Sequence, residues 1–314
     1  MPNTEAILNL ERPNVSVIIP CYGQAHFLPD AIESVLAQTH PSEIIVVDNG
    51  SQDNTAEVCG RYPQVKYICE QNRGVAQARN CGFRASTGEY VVFLDADDRL
   101  TPNAIEAHLR CFAEHPYAQL TVGDIDHIAE DGSYLASPRW PLLEANFYQE
   151  LLKVNHVANT IAVMMRREVV ANVGGFEASC TPAEDYRLLL RAVRSFPSVH
   201  HRTVVAEYRQ HPTSLSRKGA VMLRAMHHIM ALEWPCVRGD PALEEAHRIG
   251  VRYWRDYYGK IAMRELLRNV SEGELVQAGN TLAVIVRYAG FRALALPWKH
   301  RRQIARKIMD RSGR

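Results

Sequence analysis

From Val15 to Phe112 the chain repeats one alternation. A short run of β-branched apolar residues meets a polar or Pro/Gly stop, and a stretch with one apolar face at helical spacing follows. Val15-Ser16-Val17-Ile18-Ile19 stops at Pro20, and Leu28, Ile32, Val35 and Leu36 then mark one helical face with Pro29 in its first turn. Ile44 to Val47 ends at the turn-forming Asp48-Asn49-Gly50. A short helix is expected from Asp53, a strand over Val65 to Cys69, and a helix over Val75 to Ala85 that ends near Gly88. Tyr90 to Leu94 is closed by Asp95-Ala96-Asp97-Asp98. Thr101-Pro102 is expected to cap a helix carrying Ile105, His108, Leu109 and Phe112 on one side. Continuously apolar strands separated by helices predict a mostly parallel sheet covered on both faces. Such sheets bind ligands at the carboxyl ends of their strands. Here those ends carry Pro20-Cys21-Tyr22, Asp48 and Asp95-Ala96-Asp97, which should converge in one crevice.

The signals are mixed from 119 to 211. Strands are expected over Gln119 to Ile128, Thr160 to Met165 and Val199 to Tyr208, and a helix from Pro182 through Arg194. Beyond Pro212 the pattern is helical, with segments over 217–234, 241–270, 273–290 and 298–310. This divides the chain into an extension (1–14), an α/β domain (15–215, with halves 15–125 and 126–215) and a helical C-terminal region (216–314).

The formal net charge of +1 argues against a dedicated nucleic-acid binder. It hides an asymmetry. Arg292 to Arg314 holds eight Lys/Arg against Asp310 alone, or +7, so the preceding residues sum to −6. Trp298, Ile304 or Ala305, and Ile308 add an apolar stripe, which would let this tail lie on an anionic membrane. No run of about 18 apolar residues predicts a membrane-spanning helix. Met1 to Pro13 has no secretory pattern, and seven scattered cysteines read as reduced thiols in a cytosolic protein.

Several residues could carry chemistry. Asp95 and Asp97, one residue apart at a strand end, suit a hard divalent cation shared with a diphosphate; the same tripeptide would also serve as a polar turn. Asp48 could accept from a base N–H or a ribose hydroxyl, or satisfy its own turn. Arg79 could face a phosphate or base, or sit in an internal ion pair. Thr181-Pro182-Ala183-Glu184 has capping-box spacing, which assigns Glu184 to the helix start and leaves Asp185 available as a general base. His211, at the exit of the last strand, could join Asp97 as a metal ligand.

Taken in order, these segments resemble the inverting family 2 glycosyltransferases of the GT-A fold. The resemblance runs through Val15 to Tyr22, Val47 to Asp53, Asn72-Arg73-Gly74, Ala78-Arg79-Asn80 and Gly88 to Asp98, then Gly174-Gly175-Phe176, Glu184-Asp185 and Tyr208 to His211. It implies a nucleotide-sugar donor, a UDP-sugar by family habit, with Pro20, Tyr22, Asp48 and Arg79 around the nucleoside and Asp95 at the ribose. Asp97 would hold Mn²⁺ or Mg²⁺, and Asp185 would deprotonate the acceptor hydroxyl. Asn49 stands where such families often carry Asp. The motifs leave the sugar and the acceptor open, a carbohydrate or a lipid-linked saccharide; the basic, apolar tail would suit a lipid-linked acceptor at the inner face of a bacterial membrane, in surface polysaccharide or glycolipid synthesis. A polyprenyl-phosphate sugar synthase and a non-catalytic nucleotide-sugar-binding scaffold are the alternatives.

Overall fold

The computed structural model describes residues 14–290 apart from 144, 158, 212 and 213; the expected helix over 298–310, with its apolar stripe and basic flanks, lies outside the described residues. The chain divides into two units, Met1–Leu151 with Asn155–His211, and Leu152–Val154 with Pro212–Arg314.

In the first unit the apolar runs become β1 (Val15–Cys21), β2 (Glu43–Asp48), β3 (Val65–Cys69) and β4 (Tyr90–Phe93). They are separated by α1 (Leu28–Leu36), α2 (Thr55–Gly60) and α3 (Val75–Ala85). β1 pairs in parallel with β2 and β4, setting Ile18 beside Ile45 and Phe93, and β2 pairs in parallel with β3. These side chains are buried, as a sheet covered on both faces requires. Helix α3 lies close on this sheet: a Cβ at Gly82 would run into the Ile18 methyl and come 3.0 Å from that of Val47.

The remaining elements are β5 (Arg99–Leu100), α4 (Ala104–Glu114), β6 (Leu120–Ile128), β7 (Tyr134–Ala136), α5 (Phe147–Lys153), β8 (Val163–Arg166), α6 (Arg167–Asn172), α7 (Glu184–Ser195) and β9 (Ser198–Arg209). All nine strands form one sheet in the order β3-β2-β1-β4-β8-β6-β9-β5, with β7 on β6. The first half is parallel and the second mixed: β8 runs antiparallel to β4 and β6, whereas β9 is parallel to β6.

Two local expectations are corrected. Thr101 does not cap α4; its hydroxyl donates to the Val204 carbonyl at 2.7 Å, tying β5 to β9, and the helix starts at Ala104. The strand expected from Thr160 starts at Val163, because residues 160–162 close a 3₁₀ turn in which the Ala162 N–H donates to the Asn159 carbonyl.

The second unit comprises α8 (Gly219–Val237), α9 (Pro241–Glu272) and α10 (Leu275–Val284), the last continuing as a π-helical turn over Ile285–Ala289. Asp240 caps α9, accepting from the N–H groups of Ala242 and Leu243, with Pro241 at its first position. Gly273 closes it in the left-handed conformation at φ 82°.

Candidate functional site

The carboxyl ends of β1, β2 and β4 hold the polar residues that the alternation placed there. Pro20 is buried within β1, and Tyr22, just past its end, is 54% exposed. Asp48 ends β2 and is buried, with both oxygens engaged: Oδ1 accepts from the Ser51 N–H at 2.8 Å and Oδ2 from the Tyr67 hydroxyl at 2.7 Å. Asn49 joins the β2 turn to the start of α3, accepting from the Arg73 N–H and donating to Asn72. Asp53 ties the next loop down. It accepts from the Ala25 N–H and from Thr55, and these bonds, against the effect of burial, hold its carboxyl below the usual range.

Arg79 is the centre of the arrangement. It lies on the inner face of α3, 4% exposed, over the Phe176 ring. Its guanidinium donates to Asp95 Oδ1 at 2.6 Å and to Glu184 Oε1 at 2.5 Å. Burial works against its charge, yet Asp95, Glu184 and Asp185 outweigh it and its pKa is raised. The residue expected at the nucleoside is therefore a buried clasp between the end of β4 and the start of α7. Asp95, expected at the ribose, is held by Arg79 and by Asn159, whose amide donates to Oδ2 at 3.1 Å.

The capping box is corrected by the same contacts. The Thr181–Pro182 bond is cis, α7 begins at Glu184 behind Ala183, and its first turn has no side-chain cap. Glu184 is buried and turned toward Arg79 rather than back to the helix start. Asp185 follows, partly exposed, with Oδ1 accepting from the Tyr186 N–H at 2.7 Å. Burial and the neighbouring Glu184 charge push the Asp185 carboxyl up to about 7, although Arg79 opposes them.

Asp97 and His211, from separate segments, meet at 2.8 Å between Oδ2 and Nε2. Burial, then the charge of Asp95, raises the Asp97 pKa against the pull of His211. Beside them Asp98 is almost fully buried, and burial with Asp97 and Asp95 raises its pKa well above normal. Its Oδ1 accepts from the Arg209 N–H. Arg209 fixes this loop: its side chain donates to the Asp97 and Glu130 carbonyls and to Asp30 Oδ2, at 2.6–2.7 Å, over the Phe27 ring. Asn49, Asp53 and Arg209 lie inside segments that carry the family resemblance, Val47 to Asp53 and Tyr208 to His211, but without roles of their own there; Asn159 lies in none of those segments.

A doubly wound start, strand-end carboxylates and a partly exposed acid with its pKa raised to about 7 mark a candidate ligand-binding and catalytic site at the carboxyl edge of the sheet. Residues 16–174 match the family described as glycosyl transferase family 2, just over half of the chain. The chain belongs to that family. It is 32% identical over 172 residues to a Bacillus subtilis glycosyltransferase named TuaG and assigned to teichuronic acid biosynthesis, covering 52% of this chain and 66% of that one. Relatives from Rickettsia felis and Rickettsia conorii match at 33% over half of this chain but only 27% of their own length. The fold matches that of S. aureus TarS 1–349 in complex with UDP-GlcNAc (TM-score 0.63, 16% identity, 89% of this chain and 82% of that one). It also matches the Pyrobaculum calidifontis mannosyltransferase PcManGT in complex with GDP-Man and Mn²⁺ (TM-score 0.57, 21% identity, 95% and 84%).

Proposed function

We propose that this glycosyltransferase moves a sugar from a nucleotide diphosphate donor, a UDP-sugar, to a hydroxyl acceptor with inversion, in surface polysaccharide or glycolipid assembly. The observation that carries the reading is the Asp95–Arg79–Glu184 clasp, which seats Asp185 beside the strand-end carboxylates with a pKa of about 7. A general base works best when its pKa lies near the working pH. The UDP-GlcNAc bound by TarS and the teichuronic acid biosynthesis in the name of TuaG support the donor and acceptor classes.

Asp185 Oδ1 is committed to the Tyr186 N–H, which leaves Oδ2 to take the acceptor proton. The acceptor oxygen bonds to the anomeric carbon as the bond from that carbon to the diphosphate oxygen breaks. The nucleoside diphosphate leaves with the electron pair, and a single displacement inverts the centre. Tyr22, exposed just past the end of β1, would offer a ring face on which a base can rest.

Asp97 and His211 fit a hard divalent cation, Mn²⁺ or Mg²⁺. A carboxylate oxygen and an imidazole nitrogen converge, and the charge of Asp97 is undercompensated in its buried position. Among the described residues no cluster of three or more His, Cys, Asp or Glu offers a complete protein cage. A cation held there would neutralise charge developing on the departing diphosphate.

The test is thermal stabilisation by nucleoside diphosphates with and without Mn²⁺, paired with turnover of the matching nucleotide sugars. A ligand at 100 times its Kd adds about 2.7 kcal/mol. Metal-dependent stabilisation by UDP that Asp97→Ala removes, together with transfer that Asp185→Asn removes, is expected. Stabilisation by no nucleotide, in folded protein, refutes the donor site. Full transfer by Asp185→Asn refutes the base and favours a phosphate acceptor.

A further inference from the structure

Helix α10 turns its apolar side outward. Ala278, Thr281 and Ile285 are buried, with Ile285 packed against Ala262 and Met263 of α9. On the other side Leu275 is 71% exposed, Val276 76% and Leu282 40%, and Gly279 and Ala283 lie exposed along the same flank. Between Glu274 and Arg287 no residue is charged. A solvated helix of three turns ordinarily carries charge on its outer face, and exposed apolar patches of this kind mark a partner.

The charge of the chain selects that partner. Residues 214–314 hold 19 Lys/Arg against nine Asp/Glu, a net +10, and residues 1–213 therefore carry −9. The positive excess begins inside the described helices: 214–290 holds 11 basic residues against eight acids, including the exposed Arg252, Lys260, Arg264 and Arg268 of α9. A second copy would bring the same positive excess, +3 over residues 214–290, against this region. An anionic surface would be attracted, and the apolar side chains need a surface they can enter. At 12 uncharged residues the segment is too short to span a bilayer, and no described helix is long and apolar enough to do so.

We infer that the outer face of α10 is a membrane-docking face, on which Leu275, Val276 and Leu282 enter the interface of an anionic bilayer while the basic residues of this region hold the headgroups. Neither term suffices alone. Weak apolar insertion and screened charge attraction must act together, as they do for other peripheral proteins. Docking here is independent of how the sugar is transferred, and it would keep a glycosyltransferase beside lipid-borne acceptors.

The experiment is co-sedimentation of the full chain with vesicles of phosphatidylcholine alone and of phosphatidylcholine with phosphatidylglycerol, at about 0.1 M salt. The variants are Leu275→Ser/Val276→Ser/Leu282→Ser and a chain shortened to residue 290. Wild type should prefer the anionic vesicles, and the triple variant should lose about tenfold or more in partitioning. All three positions are exposed, so its melting temperature and donor turnover should match wild type. The inference is overturned if the triple variant partitions like wild type, or if only the shortened chain loses binding. It is also overturned if wild type ignores lipid and is an oligomer that the triple variant dissociates, since the face would then be an interface between copies.

Discussion

Replacing Glu184 by Gln should move the acid limb of the pH–rate profile toward lower pH. Glu184 and Asp185 are adjacent acids at the start of α7, and only one of them can give its charge fully to Arg79. Glu184 does so at 2.5 Å, while Asp185 is left with burial and a like charge that push its pKa to about 7. Gln retains the shape and the oxygen that accepts from Arg79 but removes the negative charge. A like charge this close is worth about one to two pKa units. If the Asp185 pKa falls by about one unit, its ionised fraction at pH 5.5 rises from about 3% to about 24%, an approximately eightfold gain in kcat/KM. Above pH 8 the two enzymes should converge. Arg79→Met should act oppositely, since removing the cation raises the Asp185 pKa further. It should also cost about 3–5 kcal/mol, because Glu184 would be left charged and buried without its partner. The assay is nucleoside diphosphate release from pH 5 to 9 with wild type, Glu184→Gln and Asp185→Asn. An acid limb that stays in place or moves upward in Glu184→Gln refutes the electrostatic argument.

Three further outcomes follow from particular contacts. Asp185→Asn should stabilise the protein at high pH: a carboxyl whose folded pKa is raised favours folding only while protonated, and that contribution is lost as pH rises from about 4 through about 7. The Asn variant should therefore gain up to about 4 kcal/mol at pH 8 and nothing near pH 4, read by denaturant melts. Gly82→Ala should destabilise by about 1–2 kcal/mol although Ala is the better helix former by about 1 kcal/mol, because its methyl would enter Ile18 and Val47; a raised melting temperature would contradict that packing. Arg209→Lys should lower the melting temperature and weaken Mn²⁺-dependent nucleotide binding together, since an ammonium cannot hold Asp30 and the carbonyls of Asp97 and Glu130 as the guanidinium does.

What the sequence revealed and what it hid divide by the range of the interaction. β1, β2 and β4 were legible because burial on both faces leaves a continuous apolar run, and their polar ends follow from where such runs stop. Asp97 and His211 could be paired from their strand-end positions, although 114 residues separate them. Glu184 was read through a local pattern, four residues in capping-box order, whereas its real partner is Arg79, 105 residues away. Thr101 was misread for the same reason, its hydroxyl being taken by Val204, 103 residues on. Local spacing records the hydrogen bonds a side chain could make to its own turn, and a buried cation nearby offers a stronger one. This has a consequence for Asp185. Had Glu184 capped its own helix, Arg79 would have been free to pair with Asp185 and hold it as a low-pKa carboxylate, a weak base. Because Arg79 is taken by Asp95 and Glu184, the neighbouring carboxyl keeps the raised pKa that a base at neutral pH requires.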